Sequence, residues 1–201
     1  MGLKLRVPKL TLIIERTIYA NKEDWLKSVQ SFLPILKQHS SFAIQLRSVG
    51  PHAKTDRMWI DQRIPIHPMI RLNGSIETQR SIHLPERMLQ KTHRQFSASV
   101  HNHKAIAQAT DRGASYLHIG PIYSPTSKST PFLGEKQFKT LLQSCTLPVV
   151  AVGGINANNV LQPFELGASG VAVIGSVLLN PKPLEACSKI LDKISLFKHS
   201  S

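Results

Sequence analysis

Two apolar runs in the C-terminal third of the chain, PVVAV at 148–152 and GVAVI at 170–174, constrain its fold more than any other feature. Neither run alternates apolar with polar residues. A strand built from either must therefore be covered on both faces, as in a parallel sheet flanked by helices. Each run ends in glycine, Gly153-Gly154 after the first and Gly175-Ser176 after the second. Between them NANNVLQPFELGA reads as a helix, with Asn156 or Asn158 as its cap and Val160, Leu161, Phe164 and Leu166 as its apolar face. Gly167 is placed to end it in a left-handed conformation. Strand, helix and strand make a βαβ unit whose two exits lie on the same side of the sheet. Glycine lets a ligand approach the main chain there, and amides converging at a helix start favour an anion. Gly153, Gly154, Ile174, Gly175 and Ser176 are accordingly candidate phosphate-binding residues.

The same strand–helix period extends upstream. LTLIIE at 10–15 reads as a first strand and NKEDWLKSVQSFLPILKQ as its helix, with Asn21 capping and a kink expected at Pro34. FAIQLR at 42–47, MIRL at 69–72, SIHL at 81–84, FSASV at 96–100 and YLHIG at 116–120 supply strands two to six, and LGEKQFKTLLQSC a helix before strand seven. The segment from Ser48 to Pro68 carries no clear pattern. Eight strands in one period point to α/β architecture: a small (β/α)8 TIM barrel, residues 1–201 as a single domain. With 201 residues, some of its helices must be short or missing.

Composition agrees. An apolar content of 41% suffices for one core, and no Pro/Gly/Ser-rich linker divides the chain. Its beginning lacks the apolar stretch of a signal peptide, and no run is long enough to cross a membrane. Cys145 and Cys187, far apart in predicted helices, read as free thiols, so a reducing cytoplasmic location is expected. The 25 Lys and Arg against 12 Asp and Glu give a net charge of +13. These cations are scattered without interleaved aromatics, which argues for phosphorylated small molecules and against nucleic acid.

Catalytic side chains in such barrels come from the C-terminal ends of strands. Gln45 and Arg47 share one face at the end of strand two, suited to a heterocycle and to an anionic group. Asn73 ends strand three, His83 strand four, and Ser99 and His101 strand five. His101 and His103 lack a third ligand at helical spacing, so no metal site is expected from them. The long polar loop after strand six places Thr126, Ser127 and Lys128 side by side, two hydroxyls and an ammonium able to hold phosphate oxygens.

QLR at 45–47, SIHLPE at 81–86, SASVH at 97–101, GASYLHIGPIYSPTSK at 113–128, LPVVAVGGI at 147–155 and GASGVAVIGSV at 167–177 resemble, in order and spacing, the thiamine phosphate synthase and TenI family of vitamin B1 biosynthesis. The resemblance implies a thiazole phosphate held by Gly153, Gly154 and the Gly175-Ser176 turn. In the synthase it further implies a pyrimidine diphosphate facing Gln45, Arg47, Asn73, Ser99, Ser127 and Lys128.

The chain departs from the family at telling places. Val49 stands where the synthase pattern has a lysine, and Gly74 and Met88 where it has the two metal-binding aspartates. These losses turn the expectation toward TenI, whose members move a proton on a thiazole carboxylate phosphate. The TenI acid/base histidine, however, is replaced by Pro121. Lys128, His101 and His83 are the catalytic candidates that remain, with His118 three residues before Pro121 and expected to face the other way. The leading expectation is thus TenI-like proton transfer without a cofactor. The alternatives are a divergent synthase, in which magnesium enters with Glu86 compensating, and a non-catalytic binder of thiazole or thiamine phosphate. A homodimer is left open.

Overall fold

In the computed structural model, which describes residues 5–74, 78–89, 92, 94–124 and 131–197, eight parallel strands follow one another round a closed barrel in sequence order. They are β1 (Leu10–Glu15), β2 (Phe42–Arg47), β3 (Ile70–Asn73), β4 (Ser81–Leu84), β5 (Phe96–Val100), β6 (Tyr116–Ile119), β7 (Val149–Val152) and β8 (Gly170–Val173). β8 closes on β1 through Leu10 opposite Val171 and Leu12 opposite Val173. The first strand has the predicted limits, and the others shift by a residue at most.

Residue parity decides what each strand gives to the two layers, because successive side chains point to opposite faces. Leu10, Leu12, Ile14, Phe42, Ile44, Leu46, Leu117 and Ile119 point outward into the large core between sheet and helices. Of opposite parity, Ile13, Tyr116, Val150 and Ala172 form a smaller cluster inside the barrel. Polar residues share that interior: Thr11, Gln45, Arg71, Asn73, His83, Ser97 and His118 are all buried. Arg71 runs toward the N-terminal end of the barrel, where its guanidinium donates to the Arg6 carbonyl at 2.9 Å and lies 5.4 Å from the centre of the Tyr116 ring.

The helices are α1 (Lys22–Ser31), α2 (Leu33–Gln38), α3 (Ala53–Asp61), α4 (His103–Asp111), α5 (Gly134–Gln143), α6 (Gln162–Glu165), α7 (Gly175–Leu178) and α8 (Pro183–Phe197). Asn21 caps α1 by accepting from the Asp24 amide at 2.8 Å, and Asn102 caps α4 by accepting from the Ala105 amide at 2.9 Å. Where a kink was expected at Pro34, the chain breaks at Phe32 and restarts, with proline in the first turn of α2, where its missing N–H goes unused. The unpatterned stretch after Ser48 holds α3, which buries only Ile60 and Asp56 and so shows little apolar period.

The helix expected over residues 156–166 is only the four-residue α6. Asparagine side chains compete for the backbone before it. Asn156 Oδ1 accepts from the Asn158 amide and Asn159 Oδ1 from the Asn156 amide, both at 2.8 Å, which holds turns in place of a helix. Gly167 does adopt the left-handed conformation, at φ 104°. Cys145 falls just beyond α5 rather than in it and, like Cys187, is a free thiol. No helix among the described residues is long and apolar enough to cross a membrane.

Candidate functional site

Because all eight strands point the same way, their C-terminal ends meet at one mouth, where a cavity of about 780 Å³ opens. Its wall collects inward-facing residues from every part of the barrel. Gln45, Arg47, Asn73, Ser99, His101, Gly153, Gly154, Ile174, Gly175 and Ser176, all predicted from sequence, line it together. Thr126, Ser127 and Lys128 lie outside the described residues.

On the β7–β8 side the wall is main chain. Gly153 and Gly154 take φ of 99° and 65°, conformations that other residues rarely adopt. A Cβ on Gly153 would lie 2.3 Å from the Cβ of Pro121, and one on Gly154 would lie 2.6 Å from the Cβ of Tyr123. The loop after β6 therefore packs directly on this turn. The turn is further held by Asn159, whose Nδ2 donates to the Gly154 carbonyl at 3.0 Å, and by Lys193 of α8, which donates to the Ala157 carbonyl at 2.6 Å. Across from it, α7 begins at Gly175, so the amides of Gly175 and Ser176 have no partner within the helix, while those of Val177 and Leu178 donate to the Ile174 carbonyl. The Ser176 hydroxyl beside them is buried without a hydrogen-bond partner. Fixed amides, a bare hydroxyl and no Cβ in the way are the kind of donor set that can hold phosphate oxygens.

On the β2–β4 side the wall is side-chain charge. Arg47 forms an ion pair with Glu15, a buried acid at the end of β1. Burial, with the charge of nearby Arg87, lowers the Arg47 pKa from its ordinary value. Arg87 lines the cavity from the short turn Glu86–Met88. Below them the Gln45 Oε1 and Asn73 Oδ1 atoms are buried without partners. Sequence reasoning missed Glu15 and Arg87. Parity could have found the first, since Glu15 shares the inward face of β1 with Ile13, whereas Arg87 sits on a turn that no period marks.

Magnesium, which the synthase resemblance implies, does not fit the residues present. An ideal Cβ on Gly74 would meet Met88 Sδ at 3.3 Å and Arg57 Nη1 at 3.8 Å, a thioether and a cation where a hard ion requires oxygen ligands. Glu86 is already engaged at the start of α4, accepting from the His101 amide at 3.1 Å and from Asn102 Nδ2 at 3.4 Å. Among the described residues, no group of three His, Cys, Asp or Glu could hold a metal.

Three histidines differ sharply in setting. His83 lies beneath the cavity with both ring nitrogens engaged, Nδ1 with the Ser97 hydroxyl at 2.9 Å and Nε2 with the Ser99 hydroxyl at 2.7 Å. Burial, then the charges of His118, Arg71 and Arg47, push its pKa well below the ordinary value. His118 stacks on it with ring centres 4.5 Å apart; burial and Arg71 lower its pKa to about 3. Rather than turning away, His118 faces the cavity: β6 ends at Ile119, so the parity count from Pro121 crosses the strand's end. His101 stands at the rim. Its Nδ1 sits 2.8 Å from the Gly120 carbonyl, which can only accept, so Nδ1 carries the proton and Nε2 is the acceptor.

Residues 84–177 match the family model described as thiamine monophosphate synthase. A thiamine-phosphate synthase of Geobacillus thermodenitrificans is 37% identical over 97 residues, 46% of this chain and 43% of that protein. One from Methanococcus vannielii is 39% identical over 82 residues, 40% of each chain. The matched part thus spans less than half the length of these relatives. Among solved structures, a thiamine phosphate pyrophosphorylase from Pyrococcus furiosus superposes with a TM-score of 0.66 at 21% identity, covering 93% of this chain and 95% of that one. A 3-hexulose-6-phosphate synthase superposes at 0.62 with 10% identity, covering 90% and 97%. At such identities the superpositions show the fold.

Proposed function

We propose that this chain, whose residues 84–177 match the family model described as thiamine monophosphate synthase, is a divergent thiamine phosphate synthase, joining a pyrimidine diphosphate to a thiazole phosphate. One observation carries the reading: two unlike anion grips, amides with a serine hydroxyl and a set of arginines, face each other across one cavity of about 780 Å³. A proton transfer on a single monophosphate needs one grip, and a condensation of two phosphorylated partners needs both.

In this reading the thiazole phosphate is held by the Gly153-Gly154 and Gly175-Ser176 exits, and the pyrimidine rests on the floor, with Gln45 and Asn73 offering their free oxygens to its amino group. The bond from the pyrimidine methylene carbon to the diphosphate oxygen breaks, and diphosphate leaves with the electron pair. The thiazole nitrogen then supplies the pair for the new C–N bond. Arg47 favours the departure by stabilising charge that grows on the leaving oxygens, in a site where such stabilisation acts more strongly than in bulk water. His83, neutral and doubly bonded, positions the Ser99 hydroxyl. The test incubates the purified protein with both substrates and follows thiamine phosphate by mass spectrometry; formation of the condensed product is expected. No product, with the thiazole phosphate bound tightly, would defeat the synthase reading and leave a tautomerase or a non-catalytic binder.

TenI-like tautomerisation is the second reading, and His101 is the observation favouring it. Its Nε2 acceptor lies at the cavity rim, free to take a proton from a thiazole carboxylate phosphate. The same incubation, with the thiazole carboxylate phosphate alone and NMR detection of isomerisation, separates the two.

A further inference from the structure

We infer that Arg47, Arg57 and Arg87 together take the place of a divalent cation, so that this site receives a diphosphate group without metal. The inference rests on the synthase reading and names what neutralises its leaving group.

Position is the first argument. Arg57 projects from α3 to within 3.8 Å of where a Cβ of residue 74 would stand, and Met88 fills the remaining space at 3.3 Å. Arg47 and Arg87 line the same side of the cavity. The place that would need acidic side chains for a metal is thus filled by permanent cations.

Charge balance is the second. Glu15 answers Arg47 alone. Asp56, the acid nearest Arg57, is already held by Lys22 at 3.2 Å, by Arg16 at 3.7 Å and by the Ser48 hydroxyl at 3.0 Å. Neither Arg57 nor Arg87 forms a hydrogen bond or ion pair with a described side chain. Their guanidinium groups nevertheless feel one another: burial first, and then the charge of Arg87, lowers the pKa of both Arg47 and Arg57, with Asp56 opposing the shift only at Arg57. Cations held together against repulsion, with only Arg47 ion-paired to an acid among the described residues, are relieved when a polyanion arrives. Guanidinium also matches phosphate geometry with paired N–H donors, which a lysine cannot do.

The experiment titrates inorganic diphosphate into the full chain by calorimetry, first in EDTA and then in excess magnesium. Binding in EDTA is expected, without a further roughly tenfold gain on adding metal. Arg57→Gln and Arg87→Gln are each expected to weaken it about tenfold or more, the scale of a lost charged hydrogen bond. Affinity for the thiazole phosphate, held on the opposite wall, should be unchanged in both variants. Diphosphate binding that requires magnesium, no binding in either condition, or two variants that bind like the parent would each overturn the inference. Diphosphate bound in EDTA by a chain that does not take the thiazole phosphate would keep the arginine assignment and defeat the synthase reading.

Discussion

The two walls of the mouth differ in what they would offer an anion under the proposed reading. The β7–β8 wall uses main-chain amides, fixed by glycines in left-handed conformations and by asparagine side chains bonded to the backbone. The β2–β4 wall uses arginines on a strand end, a helix and a turn, answered only in part by Glu15. A wall of amides carries no net charge, so its strength lies in shape and is lost when the space is filled. A wall of guanidiniums works through charge, so salt and neighbouring ions tune it.

The largest effect expected from breaking this contrast comes from shape. Gly153→Val would drive a side chain into Pro121 and force a β-branched residue to a φ of 99°. A loss of roughly 3 kcal/mol in stability is expected, with phosphate-ligand binding abolished; denaturant unfolding and calorimetry check both. A stable variant that still binds the thiazole phosphate would remove the amide cradle.

Acid strikes beneath the charged wall. His118, with its pKa lowered to about 3, and His83, lowered in the same direction, are neutral when folded but take up protons near pH 6.5 when unfolded. The unfolded state therefore binds more protons in this window. Stability is full above about pH 6.5 and falls as the pH drops toward 3, by about 1.4 kcal/mol per unit on account of His118, with His83 acting in the same direction. Thermal melts across that range should show the slope, and His118→Gln should flatten it.

Arg47→Ala leaves the Glu15 carboxylate buried without its partner. A loss of about 2 kcal/mol is expected, discounted because Arg47 is itself partly exposed, together with weaker diphosphate binding. Removing that charge should also raise the His83 pKa, visible by NMR titration. Asn159→Asp keeps the shape but removes the donor to the Gly154 carbonyl; about 1 kcal/mol of stability and a modest loss of phosphate affinity are expected. Smallest is Ser176→Ala. It should leave the free protein unharmed, since the hydroxyl has no partner there, yet weaken the thiazole phosphate by about 1 kcal/mol. Equal binding by both proteins would show that Ser176 does not touch the ligand.

Several parts of this arrangement were legible in the sequence. Apolar runs marked β7 and β8 because a strand covered on both faces needs apolar residues at every position. Glycine at the exit of β7 marked the tight turn there because few residues accept its geometry. Asn21 marked a helix start through a local hydrogen bond. The turns over 156–161 were not legible, because Asn156, Asn158 and Asn159 can cap a helix or hold a turn with the same side-chain oxygens. Nor was α3, whose buried face is two residues wide.

By itself the sequence determined the order of strands, the places where the chain turns and the glycine exits, because propensity, side-chain period and backbone freedom act between near neighbours. Only the tertiary structure decided which charges meet. Glu15 reaches Arg47, Arg57 approaches residue 74, and His83 stacks on His118 because the closed barrel brings distant strand ends within a few ångströms. Coulomb and hydrogen-bond energies depend on those distances in space, which separation along the chain does not specify.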